Sequence, residues 1–169
     1  CNSPAQVVIA KENEQGHYLR RKSIETIYNE LATMINLYQA NFVYINDDAF
    51  LARPKREVLE FVEMYKEINL PFWFQTRFED IDEEKLTALK KVGAYRISFG
   101  LEHGNEKFRK EKLLRRISNK YIIKQARIIQ KVGIPYSVNV IIGLPYETRE
   151  LLFETIYLIR EIGGFDSIA

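Results

Sequence analysis

Polar residues and glycines recur at the ends of short apolar runs along this 169-residue chain. Carboxylates in such places can bind an ammonium group or a metal ion, an arginine can clamp a carboxylate, and a glycine lets a flat ligand approach the backbone. Turns and surface salt bridges explain each residue singly. Their recurrence at successive strand ends favours one ligand site, and the candidates are Asp47, Asp48, Arg77, Glu102, Asn139, Gly143 and Pro145.

The elements that would position these residues alternate between helix and strand. Apolar patterning predicts strands near residues 42–46, 71–76, 95–100 and 136–142, with a further strand beginning at Phe165. Helices are predicted to begin at Ser23, Pro54, Asp82, Ser118 and Thr148. Strands joined by helices run parallel with right-handed crossovers, in a barrel or in a doubly wound sheet. Both folds place functional groups at the carboxyl ends of the strands.

Composition and charge exclude several classes of protein. Hydrophobic residues make up 46% and charged residues 28% of the chain, as in soluble globular proteins, and residues 1–169 are expected to form a single domain. A net charge of +2 gives no argument for a nucleic acid partner. The longest uncharged stretch, Leu31–Asn46, is too short to span a bilayer. One cysteine cannot form an internal disulfide, so we expect a cytoplasmic protein with no membrane partner.

Other common chemistries find no support in the motifs. The sequence has no phosphate-binding loop, no dinucleotide-binding glycine motif and no G-x-S-x-G elbow. Two alternatives to a cofactor site stay open. One is a metal-free α/β-barrel isomerase or aldolase that uses Asp48 and Glu102 as acid and base, and the other is a non-catalytic barrel fragment. The basic residues between Lys107 and Arg116 are expected to form a solvated helix face.

Several segments resemble the radical S-adenosylmethionine (SAM) superfamily, and within it the enzymes often preceded by a cobalamin-binding domain. Cys1–Pro4 resembles the end of the C-x3-C-x2-C loop that binds the iron–sulfur cluster, and Asn46–Phe50 resembles the second-strand motif. Gly100–Glu106 resembles the fourth-strand signature, and Asn139–Thr148 resembles the fifth-strand motif, which is the most specific of the four. The resemblance implies an α/β fold, a partial parallel (β/α) barrel made of strands 2 to 5 and the start of strand 6.

The activity implied by the resemblance is reductive cleavage of SAM by a 4Fe–4S cluster, which generates a 5′-deoxyadenosyl radical. Cys1 would be one of the cysteine ligands of the cluster, and the backbone around Gly143 would contact the adenine of SAM. An electron donor of the flavodoxin or ferredoxin type is implied as a partner. Cobalamin is an expected cofactor of the full-length protein if a cobalamin-binding domain precedes this chain, and the substrate is not specified.

The resemblance also implies roles for five polar residues. Asp47 or Asp48 would accept hydrogen bonds from the ammonium group of SAM, and Arg116 would pair with its carboxylate. Glu102 and Asn139 would bind the ribose or the amino acid moiety. The two other cysteines of the cluster loop do not occur in the sequence. We therefore expect a fragment that begins at the last cysteine of the motif, is inactive by itself and is poorly stable, because its outer strands lack neighbours.

Overall fold

The computed structural model describes residues 3–16, 18 and 20–169, with Ser3 and Pro4 described by their backbone only. Its centre is a parallel sheet in which the strands follow the order β1-β2-β3-β4-β5. The strands are β1 Val43–Ile45, β2 Phe72–Thr76, β3 Ala94–Glu102, β4 Tyr136–Val140 and β5 Ser167–Ile168. The strand order of a doubly wound sheet reverses, whereas that of a barrel is sequential. The predicted α/β partial barrel is therefore confirmed.

Helices connect the strands and begin where the capping residues predicted. The helices are α1 Ser3–Glu12, α2 Ile24–Tyr38, α3 Lys55–Ile68, α4 Glu83–Lys91, α5 Glu106–Lys112, α6 Asn119–Val132 and α7 Arg149–Ile162. Ser23, Asp82, Ser118 and Thr148 each accept a hydrogen bond from the backbone N–H three residues later, at the starts of α2, α4, α6 and α7. Within the described ranges, no helix is long and apolar enough to cross a bilayer.

The two faces of the sheet differ in composition. On the face that packs against the helices, alternate strand residues are fully buried, and they include Phe72, Phe74, Ile97, Phe99 and Val138. The strand register places the intervening residues on the opposite face, called the inner face below, and they include Trp73, Ser98, Gly100, Ser137 and Asn139. The outer face therefore forms the core, and the inner face carries polar groups.

Three elements differ from the expectations. β3 continues to Glu102, and β4 ends at Val140 rather than near residue 142. Helix α1 occupies a segment for which no helix was predicted, whereas α5 falls in the basic run that was expected to form a helix face. α5 is short and mostly charged, so its sequence lacks the apolar periodicity that reveals the other helices.

Candidate functional site

Hydrogen bonds between side chains cross the inner face from strand to strand. The Trp73 indole N–H donates to Ser98 Oγ at 2.9 Å, and the hydroxyl oxygens of Ser98 and Ser137 lie 2.8 Å apart. Nearer the amino ends of the strands, Arg96 donates to Ser167 Oγ at 3.0 Å. The residues at corresponding positions of β2 to β5 therefore meet on this face, as expected for the interior of a partial barrel.

Glu102 ends β3 with its carboxylate folded back over the strand. Its φ of 65° lies in the left-handed region, which non-glycine residues rarely adopt outside constrained, often functional, positions. A Cβ added to Gly100 would lie 2.3 Å from Glu102 Oε1, so the carboxylate occupies the space beside that glycine. Arg115 Nη1 donates to Glu102 Oε1 at 3.2 Å and to the Gly100 carbonyl at 2.7 Å. The pair Glu102–Arg115 is thereby fixed at the carboxyl edge of the inner face.

Asn139 lies beside this pair on the next strand. The register pairs Asn139 with Gly100 in the same way that it pairs Ser137 with Ser98, so the amide belongs to the inner face. Asn139 is half-buried, and its side chain forms no hydrogen bond within the part of the chain that the structure describes. Solvent or a ligand can therefore pair with this half-buried amide.

The loop after β4 is tied to the end of β3 through two polar side chains. His103 is fully buried and stacks on Phe108 with ring centroids 4.3 Å apart. His103 Nε2 lies 3.2 Å from Glu147 Oε1, and Glu147 Oε2 accepts from the Gly143 backbone N–H at 2.6 Å. Burial lowers the pKa of His103, although the neighbouring Glu147 raises it. The imidazole is therefore neutral near pH 7.

Gly143 leaves open space beside its backbone. Its φ is 83°, and no atom lies within 4 Å of an added Cβ. The Ile141 backbone N–H donates to the Glu102 carbonyl at 2.8 Å, which continues the pairing of the two strands beyond β4. Glu102, Asn139 and Gly143 therefore lie along one edge made by the ends of two adjacent strands.

Of the other candidate residues, Asp47 and Asp48 follow β1, Arg77 follows β2, Arg116 follows α5, and Pro145 lies in the loop after β4. Asp47 pairs with Arg53, with 2.8 Å between Oδ2 and Nη2, and also accepts from the Ala49 backbone N–H. Arg77 pairs with Asp80, with 2.7 Å between Nε and Oδ2. The candidates whose side chains are exposed are Asp48, Arg77, Arg116 and Pro145.

Metal ligation is not provided by the described residues. Among them, no group of three or more His, Cys, Asp or Glu side chains could hold a metal ion. Cys1, the predicted cluster ligand, lies outside the described residues. The described part of the chain therefore does not fit a 4Fe–4S cluster, whereas its polar edge fits a ligand with charged and hydroxyl groups.

Two side chains of this edge were not among the sequence candidates. Arg115 reaches Glu102 while its neighbour Arg116 is exposed, because Leu114 takes a left-handed φ of 56° and turns the chain. No sequence pattern distinguishes the two arginines. Glu147 follows the Gly143 loop by four residues, and this closeness was the only signal of its contact with that loop.

The basic run after His103 is not uniformly solvated, which corrects the expectation from sequence. Arg109 has no exposed surface. Its guanidinium donates to the carbonyls of His103, Gly104 and Ile117 and to Asn119 Oδ1, at 2.6 to 3.2 Å. A buried charge is tolerated when hydrogen bonds replace its hydration, and these four acceptors engage both Nη atoms, while Nε has no partner among the described residues.

A profile described as the radical SAM superfamily matches residues 1–159. The chain belongs to the radical SAM superfamily. Membership in that superfamily implies a 4Fe–4S cluster and SAM as cofactors. The polar edge described above lies where a parallel barrel carries its functional groups.

Two relatives and one solved structure are similar to this radical SAM chain. It is 27% identical over 135 residues to cytidylyl-2-hydroxyethylphosphonate methyltransferase of Streptomyces wedmorensis. The aligned region covers 77% of this chain and 24% of that protein. It is 24% identical over 148 residues to an uncharacterized methyltransferase of Pyrococcus horikoshii. The aligned region covers 87% of this chain and 32% of that protein. The chain thus spans about a quarter to a third of the length of these relatives.

The solved structure of the cobalamin-dependent SAM radical enzyme OxsB with bound aqua-cobalamin shares the fold. The TM-score is 0.70 at 16% identity, and the match covers 82% of this chain and 22% of OxsB. At that identity the similarity establishes the fold of this radical SAM chain and not its substrate.

Proposed function

We propose that this chain forms the SAM-binding edge of a radical SAM enzyme. The observation that carries the proposal is the Glu102–Arg115 pair beside the accessible amide of Asn139, at the carboxyl edge of a parallel sheet. SAM carries an ammonium group, a carboxylate and ribose hydroxyls. A carboxylate, a guanidinium and an amide are the side-chain groups that bind these three.

The roles proposed for single residues follow from which polar atoms are not already engaged by other side chains. Glu102 has Oε1 engaged by Arg115, which leaves Oε2 to accept from a ribose hydroxyl or from the ammonium group. Asp48 is the better partner for the ammonium group than Asp47, because Arg53 already pairs with Asp47.

Three exposed residues and one paired arginine complete the proposed site. Arg116 would pair with the SAM carboxylate, and Gly143 and Pro145 would contact the adenine. Arg77 can contribute only if it leaves Asp80.

Chemistry beyond SAM binding is proposed for the whole protein. Because the described residues do not hold a cluster, we derive from this chain only the binding and orientation of SAM. Reductive cleavage of SAM, formation of the 5′-deoxyadenosyl radical and an electron donor of the flavodoxin or ferredoxin type are proposals for the full-length enzyme. The inactivity of the 169-residue chain stays a prediction, which an anaerobic assay for 5′-deoxyadenosine tests.

Methyl transfer is the second function that the comparisons favour. Both sequence relatives are methyltransferases by name, and OxsB is a cobalamin-dependent enzyme. We propose that the full-length protein transfers a methyl group with cobalamin as a further cofactor. Purified full-length protein without cobalamin, or without transfer of label from methyl-labelled SAM, would contradict this proposal.

The SAM site is tested by titration calorimetry on the full-length protein. Glu102→Ala and Asn139→Ala should each raise the Kd for SAM about tenfold, since each leaves a desolvated ligand group unpaired, a loss of roughly 1–3 kcal/mol. The matched control is Glu63→Ala, an exposed carboxylate on α3 that pairs with Lys66. The control should leave the Kd unchanged.

Two results of the titration would reject the proposal. Equal SAM affinity for both site variants and the control would remove these residues from the site. Full-length protein that binds no SAM but loses isomerase or aldolase activity in Asp48 and Glu102 variants would support the metal-free alternative.

A further inference from the structure

We propose that Glu147 is a positioning residue, which holds the loop around Gly143 against the neutral ring of His103 and so fixes the surface that the adenine of SAM would meet. The contacts of Glu147 with Gly143 and His103 are observed in the structure. Their consequence for SAM binding rests on the proposed function.

The Glu147 carboxylate bridges the ends of two neighbouring strands. Oε2 accepts from the Gly143 backbone N–H at 2.6 Å, in the loop after β4. Oε1 lies 3.2 Å from His103 Nε2, directly after β3. The Glu147 side chain is 7% exposed and that of His103 is 0% exposed, so water has little access to the contact between them, whereas Gly143 is exposed. Both facing atoms are buried and have no hydrogen-bond partner among the described residues, so their 3.2 Å approach is a polar contact that brings an N–H donor and a carboxylate oxygen together.

His103 can present an N–H donor to this carboxylate because its tautomer is fixed. Its Nδ1 accepts from the Asn105 backbone N–H at 3.0 Å, and a neutral imidazole that accepts at Nδ1 carries its proton on Nε2. The Nε2–H group therefore faces Glu147 as a donor. Stacking on Phe108 fixes the ring plane. Both oxygens of Glu147 thus face N–H donors, which only a carboxylate satisfies together.

The turn between Gly143 and Glu147 is held in a conformation that its sequence does not favour. Tyr146 has a left-handed φ of 69° and is 80% exposed. The Glu147 backbone N–H donates to the Leu144 carbonyl at 3.0 Å. An exposed tyrosine gains little burial energy to offset an unfavourable φ. The hydrogen bond from the Gly143 N–H to Glu147, the polar contact with His103 and Lys112 Nζ 4.4 Å from the Tyr146 ring centroid therefore help to hold the turn.

The experiment compares Glu147→Gln with the unmodified full-length, cluster-loaded protein. Glutamine has one acceptor oxygen and one NH₂ group, so it can satisfy only one of the two N–H donors. Amide hydrogen exchange at Gly143, resolved by mass spectrometry with gas-phase fragmentation, should accelerate about tenfold, the effect of one lost hydrogen bond. The Kd for SAM should rise by a similar factor. The control Glu161→Gln, an exposed carboxylate on the following helix α7, should change neither quantity.

A thermal unfolding curve accompanies each variant, because faster exchange with an unchanged Tm marks a local effect. Unchanged Gly143 exchange in folded Glu147→Gln protein would overturn the positioning role. Faster exchange with unchanged SAM affinity would support the positioning role and overturn the adenine contact of the proposed function. The two proposals can therefore fail separately.

A measurement on the unmodified protein covers the case in which the variant does not fold. If Glu147 holds the loop, the Gly143 amide should exchange at least about tenfold more slowly than the same residue in an unstructured peptide. Exchange at the peptide rate would overturn the proposal without any variant.

Discussion

Arg109 is buried although the site does not contain it. Its four hydrogen-bond acceptors lie along the connection from β3 to α6, which includes α5 and Arg115. The Arg115 backbone N–H also donates to the Arg109 carbonyl at 3.0 Å. A charge outside the site therefore fixes the turn at Leu114, and that turn selects Arg115 rather than Arg116 as the partner of Glu102.

Gly100 provides a test at the residue scale of whether the Glu102 carboxylate binds SAM. In Gly100→Ala the new Cβ would meet Glu102 Oε1 at 2.3 Å and Arg115 Nη1 at 3.5 Å. Both atoms end flexible side chains, so we expect the pair to move and the fold to persist. Calorimetry on the full-length variant should show a SAM Kd about tenfold higher, with the Tm changed by only a few degrees. An unchanged Kd would show that the position of this carboxylate does not matter.

The pH dependence of stability should carry the signature of His103. Its folded-state pKa is lowered from the usual 6.5, chiefly by burial, while Glu147 raises it and Arg109 lowers it. A lowered folded-state pKa means that the unfolded chain binds the extra proton first. His103 therefore contributes stability above pH 6.5, and this contribution is lost as the pH falls below that value, with a slope of up to about 1.4 kcal/mol per pH unit.

Urea unfolding at several pH values between 5 and 8 measures this contribution. His103→Gln removes the titrating group, so its stability should fall less steeply than that of the unmodified protein below pH 6.5. Parallel curves for the two proteins would mean that His103 has the same pKa in the folded and unfolded states.

At the scale of elements, sequence was most informative where local chemistry decides the structure. Side-chain caps fixed the starts of α2, α4, α6 and α7, because a cap acts within three residues of its own position. The connection between β3 and α6 was not predicted. Its shape depends on the buried Arg109 and on the turn at Leu114, and both depend on residues brought together only by the fold.

The packing of the β3 end against α7 predicts a second glycine effect, opposite in kind to that of Gly100. In Gly104→Ala the Cβ would lie 2.3 Å from the Thr155 Cα and 2.7 Å from the Glu154 carbonyl oxygen, which are backbone atoms of a helix. Backbone atoms within a helix cannot move away from the new methyl group, whereas the side-chain carboxylate beside Gly100 can rotate. We expect Gly104→Ala to destabilise the fold by about 1–3 kcal/mol, measured by urea unfolding, whereas Gly100→Ala should cost much less. Equal losses from the two variants would contradict this distinction.

At the scale of the whole molecule, the sequential sheet order and the shared strand-end edge were predictable from the alternation of helix and strand. Which side chains pair with one another at this edge was not predictable. Asp47 and Arg77 have the types and positions of ligand-binding residues, yet Arg53 and Asp80 engage them. Periodicity specifies which strand end a residue occupies, whereas its partner depends on loop geometry that one sequence does not reveal.

The described sheet does not close on itself, because β1 and β5 are its outer strands. The outer strand β1 has only three residues and pairs with β2 alone. On this edge strand, Tyr44 is 49% exposed. Unpaired backbone groups next to apolar side chains favour pairing with another chain.

The 169-residue chain by itself should therefore self-associate through the open edge at β1. Light scattering over a range of concentrations should show a mass that rises above the monomer value of 19.9 kDa. Tyr44→Lys should shift the mass back toward the monomer, because a lysine on an edge strand disfavours the docking of a second strand. The control is Tyr157→Lys, since Tyr157 is 61% exposed but lies on helix α7. A chain that stays monomeric at all concentrations, or an equal effect of both lysines, would show that the β1 edge does not drive association.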